Sequence, residues 1–495
     1  MRKFNTKLLL LLLPFSLVLG DVINVKNASV RTSYENVEIS SDEDMGLLGL
    51  QYLLEEDNGL YYGLAVYGAV SGDRGGFFVG GFTGGYKTPI YDDLYFDIGA
   101  YVGGGGGASA GQGGGLMLKS YAGVLYQFDD YALGLHYSYI DFPNGDINSK
   151  QLSLVGDIKF QTLFIDKEVD SYSFKKYNFR DNKNYLQATY QTYFPKANVF
   201  TRGGSPLTQN INLVGIEYGE KISKNYLAYF ESAGAMGGAT GYMEVLVGLG
   251  YTQNLFNSLD FQTKLSLGGA GGGEVDTGGG LIAKGSLNLN YTPIDAISTG
   301  LGVGYYHAFD GGFDATFMKA YLGYNSNFIT LSDAKNEVDY TALSTQKFHL
   351  RVGHQTYFYS DNLSTNASHI QDVHLMGMKL DLFLTDNVYL TGQAIGAYSG
   401  EAGGYAAGMF GLGYIQPLVY DIFLVGEVAL GASGGGSIDS GEGKIIQPMA
   451  GLMYPVSKDI ALEVMYGKIM ALDGNLDANV LEFSLVYKFG KLVSK

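Results

Sequence analysis

Residues 259–291 read LDFQTKLSLGGAGGGEVDTGGGLIAKGSLNLNY, two alternating runs joined by a glycine-rich loop. In the first run Leu259, Phe261, Thr263, Leu265 and Leu267 fall on one face, and Asp260, Gln262, Lys264 and Ser266 on the other. In the second, Leu281, Ala283, Gly285, Leu287, Leu289 and Tyr291 oppose Ile282, Lys284, Ser286, Asn288 and Asn290. A period of two is the side-chain period of a β-strand, so each run presents one oily and one polar face. The intervening glycines turn freely but add no packing. The stretch predicts a hairpin.

The hairpin belongs to a repeat. Gly49 in Leu47–Tyr52 returns as Gly215 in Leu213–Tyr218 and Gly377 in Leu375–Leu380, at offsets of 166 and 162. Tyr86, Tyr251 and Tyr414 are offset by 165 and 163, and so are Tyr126, Tyr291 and Tyr454. Gln191-Thr192-Tyr193-Phe194 reappears as Gln355-Thr356-Tyr357-Phe358. A fixed period divides the chain into units at 21–184, 185–347 and 348–495. In the second unit the alternation predicts eight strands, near 185–194, 211–218, 225–232, 241–252, 259–267, 281–291, 296–307 and 316–326. Short polar turns (219–224, 253–258, 292–295) alternate with longer glycine-rich loops, as in an up-and-down antiparallel sheet.

Residues 1–20 stand apart. Arg2, Lys3 and Lys7 precede an apolar run from Leu8 to Leu19, the pattern of a secretory signal peptide. Its removal near Asp21 would take the net charge from −17 to −20, because it carries three positive and no negative charges. Cysteine is absent, which excludes a disulfide framework and a lipidated cysteine. No later segment supplies the roughly 20 consecutive apolar residues of a membrane helix; any crossing would be made by strands. The acidic balance excludes nucleic acid as a partner.

Motifs for chemistry are thin. Gly107–Gly111 and Gly431–Gly435 match G-x-S-x-G, but both fall in glycine-rich hairpin loops without the helix that a nucleophile elbow needs. The six histidines (His136, His307, His349, His354, His369, His374) form no zinc motif. Asp310, Asp314, Asp473 and Asp477 could offer oxygens to Ca²⁺, and Glu274, Asp276 and Asp439 form a similar thin case, but Asp-Gly is foremost a hairpin-turn pair. Neither an enzyme nor a cofactor is expected.

The strands leading into short turns end on Tyr86, Tyr126, Tyr251, Tyr291, Tyr414 and Tyr454, expected as one aromatic girdle. In the last strand Leu481, Phe483, Leu485, Tyr487 and Phe489 alternate with Glu482, Ser484, Val486 and Lys488. This resembles the closing strand of bacterial outer-membrane β-barrels of porin-like type, with no motif of one particular family. The chain departs from that pattern in its tail, Gly490–Lys495. The resemblance implies export to the outer membrane, insertion by barrel-assembly machinery, contact with lipid, and a passive channel for small hydrophilic solutes or ions. An open lumen rich in carboxylate would prefer cations weakly.

Closure follows less directly. A single barrel of about 24 strands is the expected arrangement; three tandem eight-stranded barrels are the alternative, favoured by the long segments near 164–183 and 330–346, and a soluble or half-open sheet is a third. Glu244, Asp260, Lys264, Lys284, Lys319, Glu427, Glu463 and Glu482 are expected to face the lumen. Ser298, Gly300, Gly302 and Gly304 instead suit a filled interior, where small residues make room for large neighbours. With sealed barrels the function would be structural or surface interaction.

Overall fold

The computed structural model describes residues 23–40, 43–165, 178–331, 343–358 and 371–494; the expected leader and His369 lie outside them. All regular elements among the described residues are strands, 24 in number. The first eight are β1 (Ile23–Ser40), β2 (Glu43–Glu55), β3 (Leu60–Ser71), β4 (Phe78–Tyr91), β5 (Leu94–Gly106), β6 (Leu116–Phe128), β7 (Tyr131–Asp141) and β8 (Asn148–Ile165). The next are β9 (Phe179–Pro195), β10 (Ile211–Lys221), β11 (Tyr226–Gly237), β12 (Met243–Phe256), β13 (Leu259–Gly271), β14 (Leu281–Ile294), β15 (Ile297–Ala308) and β16 (Asp314–Leu331). The last are β17 (Leu343–Tyr357), β18 (Val373–Phe383), β19 (Val388–Ser399), β20 (Ala406–Pro417), β21 (Phe423–Gly434), β22 (Lys444–Pro455), β23 (Ile460–Ala471) and β24 (Asp477–Ser494). All eight strands expected in the second unit are present. The unit boundaries at 185 and 348 fall just inside β9 and β17.

Consecutive strands pair antiparallel, and the strand number and up-and-down order are those expected. The closure differs from the single ring. β1 pairs with both β2 and β8, β9 with both β10 and β16, and β17 with both β18 and β24. The chain therefore forms three eight-stranded barrels in tandem. Between barrels the ladders reduce to single rungs, Ile165 with Gly490 and Phe328 with Val493. Closing each unit on itself removes its edges within one repeat, without pairing strands across hundreds of residues.

Side-chain size suits that closure, because an eight-stranded barrel is just wide enough to be filled. Inward tyrosines lie over inward glycines of neighbouring strands: Tyr61 over Gly85, Tyr121 over Gly99, Tyr185 over Gly219, Tyr229 over Gly248, Tyr321 over Gly300 and Tyr389 over Gly413. The run Ser298, Gly300, Gly302, Gly304 makes room as its composition suggested, for Tyr321, Asn288 and Phe317. A Cβ at Gly300 would overlap the Tyr321 hydroxyl and the Leu289 carbonyl. Gly300→Val should thus destabilise the second barrel by about 1–3 kcal/mol through overpacking. A lowered urea midpoint of the lipid-reconstituted protein is the expected reading; an unchanged one would mean that the interior has slack.

Candidate functional site: filled interiors and a glycine rim

In the second barrel the inward positions of six strands supply one alternating chain of charges. Lys264 contacts Glu217, which also accepts from Lys319 at 2.6 Å; Lys319 reaches Glu231 at 3.0 Å. Lys284 then bridges Glu231 and Glu244, both at 2.7 Å. Three cations meet three carboxylates, all buried. Tyr193 and Tyr242 donate to Glu244 at 2.8 and 3.1 Å, and Gln191 to Glu231 at 2.6 Å. Buried charge is tolerated only when paired and hydrogen-bonded in this way.

The other interiors are filled by the same logic with different residues. In the first barrel Arg31 grips Asp157 through two nitrogens, at 2.7 and 2.8 Å, and Asp97 at 2.8 Å. His136 lies 3.3 Å from Asp97 and stacks on Tyr121, while Lys119 pairs with Glu35. In the third, Arg351 holds Asp381 and Glu427 at 2.7 Å and Glu463 at 3.0 Å. Lys379 joins Glu427 to Glu482. That makes two cations against four carboxylates. A void of about 10 Å³ beside Arg351, Lys379 and Glu482 has room for no more than about one water.

Of the lumen-facing candidates, Glu244, Lys264, Lys284, Lys319, Glu427, Glu463 and Glu482 are buried in these networks. Asp260 sits half-buried at the short-turn mouth, accepting from Asn254 at 3.0 Å. The other members of the networks are not singled out by the sequence pattern: Arg31, Glu35, Asp97, Lys119 and Asp157 in the first barrel, Glu217 and Glu231 in the second, and Arg351, Lys379 and Asp381 in the third. Alternation fixes the face of each, but the partner across the barrel depends on closure.

Outward positions are apolar and exposed, among them Leu154, Val247, Leu265, Leu289, Leu301, Leu322, Leu412, Leu462 and Phe483. An exterior of this kind, around interiors that bury the charge, is the inverse of a soluble protein and suits a bilayer. Tyr86, Tyr126, Tyr251, Tyr291, Tyr414 and Tyr454 are all exposed at the short-turn end. On β24 Phe483 is exposed and Leu481, Leu485, Tyr487 and Phe489 partly so, with Glu482, Ser484 and Val486 buried between them.

At the long-loop end, six glycine-rich hairpins join in a closed ring. The 72–77 loop meets the 272–280 loop, with Gly75 N donating to Gly278 O at 2.8 Å. The 238–242 loop meets the 435–443 loop, with the Thr240 hydroxyl donating to Gly441 O at 2.7 Å. The 400–405 loop meets the 107–115 loop, with Gly404 N donating to Gly105 O at 3.2 Å and Gln112 Nε2 to Gly403 O at 3.1 Å. Within each barrel the two loops touch as well: Gly107 on Gly76, Gly272 on Gly241, Gly435 on Gly404. One head-to-tail contact used three times closes a pseudo-threefold ring.

Small residues permit this approach. A Cβ on Gly396 would lie 2.6 Å from the Gly104 carbonyl oxygen, one on Gly234 3.3 Å from Ala432, and one on Gly269 3.2 Å from Phe78. Gly104, Gly269 and Ala432 are one position of the repeat, offset by 165 and 163. Arg74 binds the rim of the first barrel, donating to both Glu43 oxygens at 2.7 Å and to the carbonyls of Ala108 and Ser109. Its hydrogen bonds hold the Glu43 carboxyl below the ordinary carboxylate range.

At the opposite end Leu163, Ile165, Phe179, Ile329 and Leu492 form an apolar cluster shared by the three barrels, with Val25 and Leu343 against it. Phe489 stacks on Phe348 and meets Phe164 edge-on, both at 5.4 Å. The tail after Phe489, which departs from the resembled pattern, thus has a place: β24 runs on to carry Leu492 into the junction.

The remaining motifs serve structure. Ser433 Oγ is buried against Ser440 Oγ at 2.9 Å, and Ser109 lies in the Arg74-bound loop. Asp473 pairs with Lys444, Asp477 with Lys468 and Asp314 with His307. Asp276 accepts from Gly312 N at 2.9 Å and Asp439 from Asn475 at 2.6 Å, as turn caps. Among the described residues no three His, Asp or Glu side chains converge on a metal position.

No family model matches the sequence, and no curated protein matches it. Solved structures similar to the chain include OpdQ from Pseudomonas aeruginosa, at 10% identity over 94% of this chain and 98% of that one, with a TM-score of 0.21. OccAB3 from Acinetobacter baumannii is 11% identical over 94% of this chain and 99% of that one, TM-score 0.21. A variant of the ferric enterobactin receptor PfeA from Pseudomonas aeruginosa is 9% identical over 94% and 81%, TM-score 0.28. Such scores do not define a shared barrel geometry.

Proposed function

We propose that this chain is a non-conducting outer-membrane protein, a rigid three-barrel body that presents a glycine-loop platform at the surface. The filling of all three interiors by ion-paired, hydrogen-bonded side chains carries this reading. A passive channel for hydrophilic solutes needs a continuous wet lumen, and opening one here would break these buried ion-pair networks. The apolar exterior and the short-turn tyrosines support a bilayer as the surroundings; the signal-peptide pattern supports export to the outer membrane. A catalytic role has no support in the placement of Ser109 or Ser433.

Reconstitution into planar bilayers in molar KCl tests the reading. The expected record is silent at moderate voltage, with insertion verified separately by protease protection and heat-shifted migration. Reproducible large conductance steps from the inserted protein would overturn it and restore the channel.

A further inference from the structure

Short turns are expected to be polar, and Glu56–Gly59 is; the equivalent turns, 222–225 and 384–387, each carry one exposed apolar residue, Ile222 and Leu384, ahead of three polar ones. The turn between the fourth and fifth strands of each barrel breaks the pattern the same way three times. At or beside it stand two consecutive apolar residues: Ile90-Tyr91 closing β4 in the first barrel, Leu255-Phe256 closing β12 in the second, and Val419-Tyr420 between β20 and β21 in the third. Tyr91, Phe256 and Tyr420 recur at offsets of 165 and 164, so the feature belongs to the repeat. The three aromatics are the most exposed large apolar side chains among the described residues: Tyr91 is 73%, Phe256 71% and Tyr420 88% exposed.

Register shows what lies beside them. Tyr91 is paired with Leu94, and Leu94 with the girdle residue Tyr126. Phe256 is paired with Leu259, and Leu259 with the girdle residue Tyr291. Two strand spacings, about 10 Å along the sheet, separate tip from girdle. Because the strands tilt, the vertical separation is smaller, on the order of the headgroup layer's depth. Polar residues lie close to each tip (Asp92 and Asp93; Asn254 and Asn257; Gln416 and Asp421), as among headgroups, with the exposed Leu418 extending the apolar tip of the third barrel. The inter-barrel cluster draws on β1, β8, β9, β16, β17 and β24 and on none of these turns, which leaves the tips uncovered by the other barrels.

We infer that the three tips are lipid-binding anchors that sink into the headgroup layer of the leaflet on the short-turn side and fix the depth and tilt of the three-barrel body at three points. The occupant is the phospholipid surface, continuous with the apolar belt that the barrels already present. Exposed aromatic–aliphatic pairs at a water–lipid boundary gain from partial immersion while their polar neighbours stay wet. This inference rests on the membrane-embedded reading above.

The chain contains no tryptophan, so single substitutions report without background. Tyr91→Trp, Phe256→Trp and Tyr420→Trp, each alone in the full chain, are to be compared in phosphatidylcholine vesicles with Leu265→Trp in the middle of the belt. Heat-shifted migration verifies that each variant is folded. The expected result is blue-shifted emission at all three tips, quenched strongly by lipid brominated near its glycerol end and weakly by aqueous iodide, with Leu265→Trp quenched best by lipid brominated deep in the chain. Tips that respond only to iodide, beside a belt site quenched by brominated lipid, overturn the anchors and leave the membrane reading intact. A belt site that no brominated lipid quenches overturns the membrane reading itself.

Discussion

Arg351→Met should destabilise the third barrel by about 3–5 kcal/mol, the usual cost of removing one partner from a buried ion pair. The guanidinium serves three carboxylates at once, Asp381, Glu427 and Glu463, at 2.7–3.0 Å. Without it Lys379 alone would face four buried carboxylates. Methionine keeps much of the volume, so the loss would report charge and not a cavity. Urea titration of the lipid-reconstituted protein reads the effect as a lowered midpoint for residues 343–494, separable by limited proteolysis from the first two barrels. Adding Asp381→Asn and Glu463→Gln to the same chain should recover a large part, because the uncompensated charge goes with them. A single variant as stable as the parent would mean that water screens the interior. That outcome would also undermine the sealed-barrel function, since water that screens charge can carry ions.

The sequence and the structure agree most closely where the physics is local. Alternation in Leu259–Tyr291 specifies two strands and their faces, and the hairpin pairs Leu259 with Tyr291 as the pattern required. Repeat offsets located equivalent strands because each barrel performs the same folding task. Closure was not local information: period two says which face a residue occupies, not which distant strand completes the ring. The clue lay in side-chain size. Gly300, Gly302 and Gly304 lie under Tyr321, Asn288 and Phe317 of the strands paired beside them, and such alternation of large and small inward residues suits the filled interior of an eight-stranded ring. Glu244 and Lys284 were legible as inward-facing, but their 2.7 Å contact joins β12 and β14 across β13 and depends on the curvature of an eight-stranded ring. The glycine rim lay further from reach. Composition marked the loops as glycine-rich, and only the juxtaposition of barrels explains why Gly104 and Gly396 tolerate nothing larger.

Phe483→Arg should prevent the third barrel from forming while sparing the other two. Phe483 projects from β24 on the outer face, half exposed, opposite His354 of β17 and Val464 of β23. An arginine on the lipid face costs about 2–4 kcal/mol near the bilayer midplane. Phe483→Leu keeps the face apolar and should be close to neutral, which isolates charge from size. Because β24 both closes on β17 and carries Leu492 into the inter-barrel cluster, its failure releases the whole third unit. The first and second barrels close on their own ladders, β1 with β8 and β9 with β16, and should persist as a protease-resistant fragment ending near Leu331. Unchanged stability of the Arg variant in lipid would show that this face does not meet hydrocarbon. Loss of all three barrels together would show that the rim and the apolar junction make one cooperative unit of what the ladders close as three.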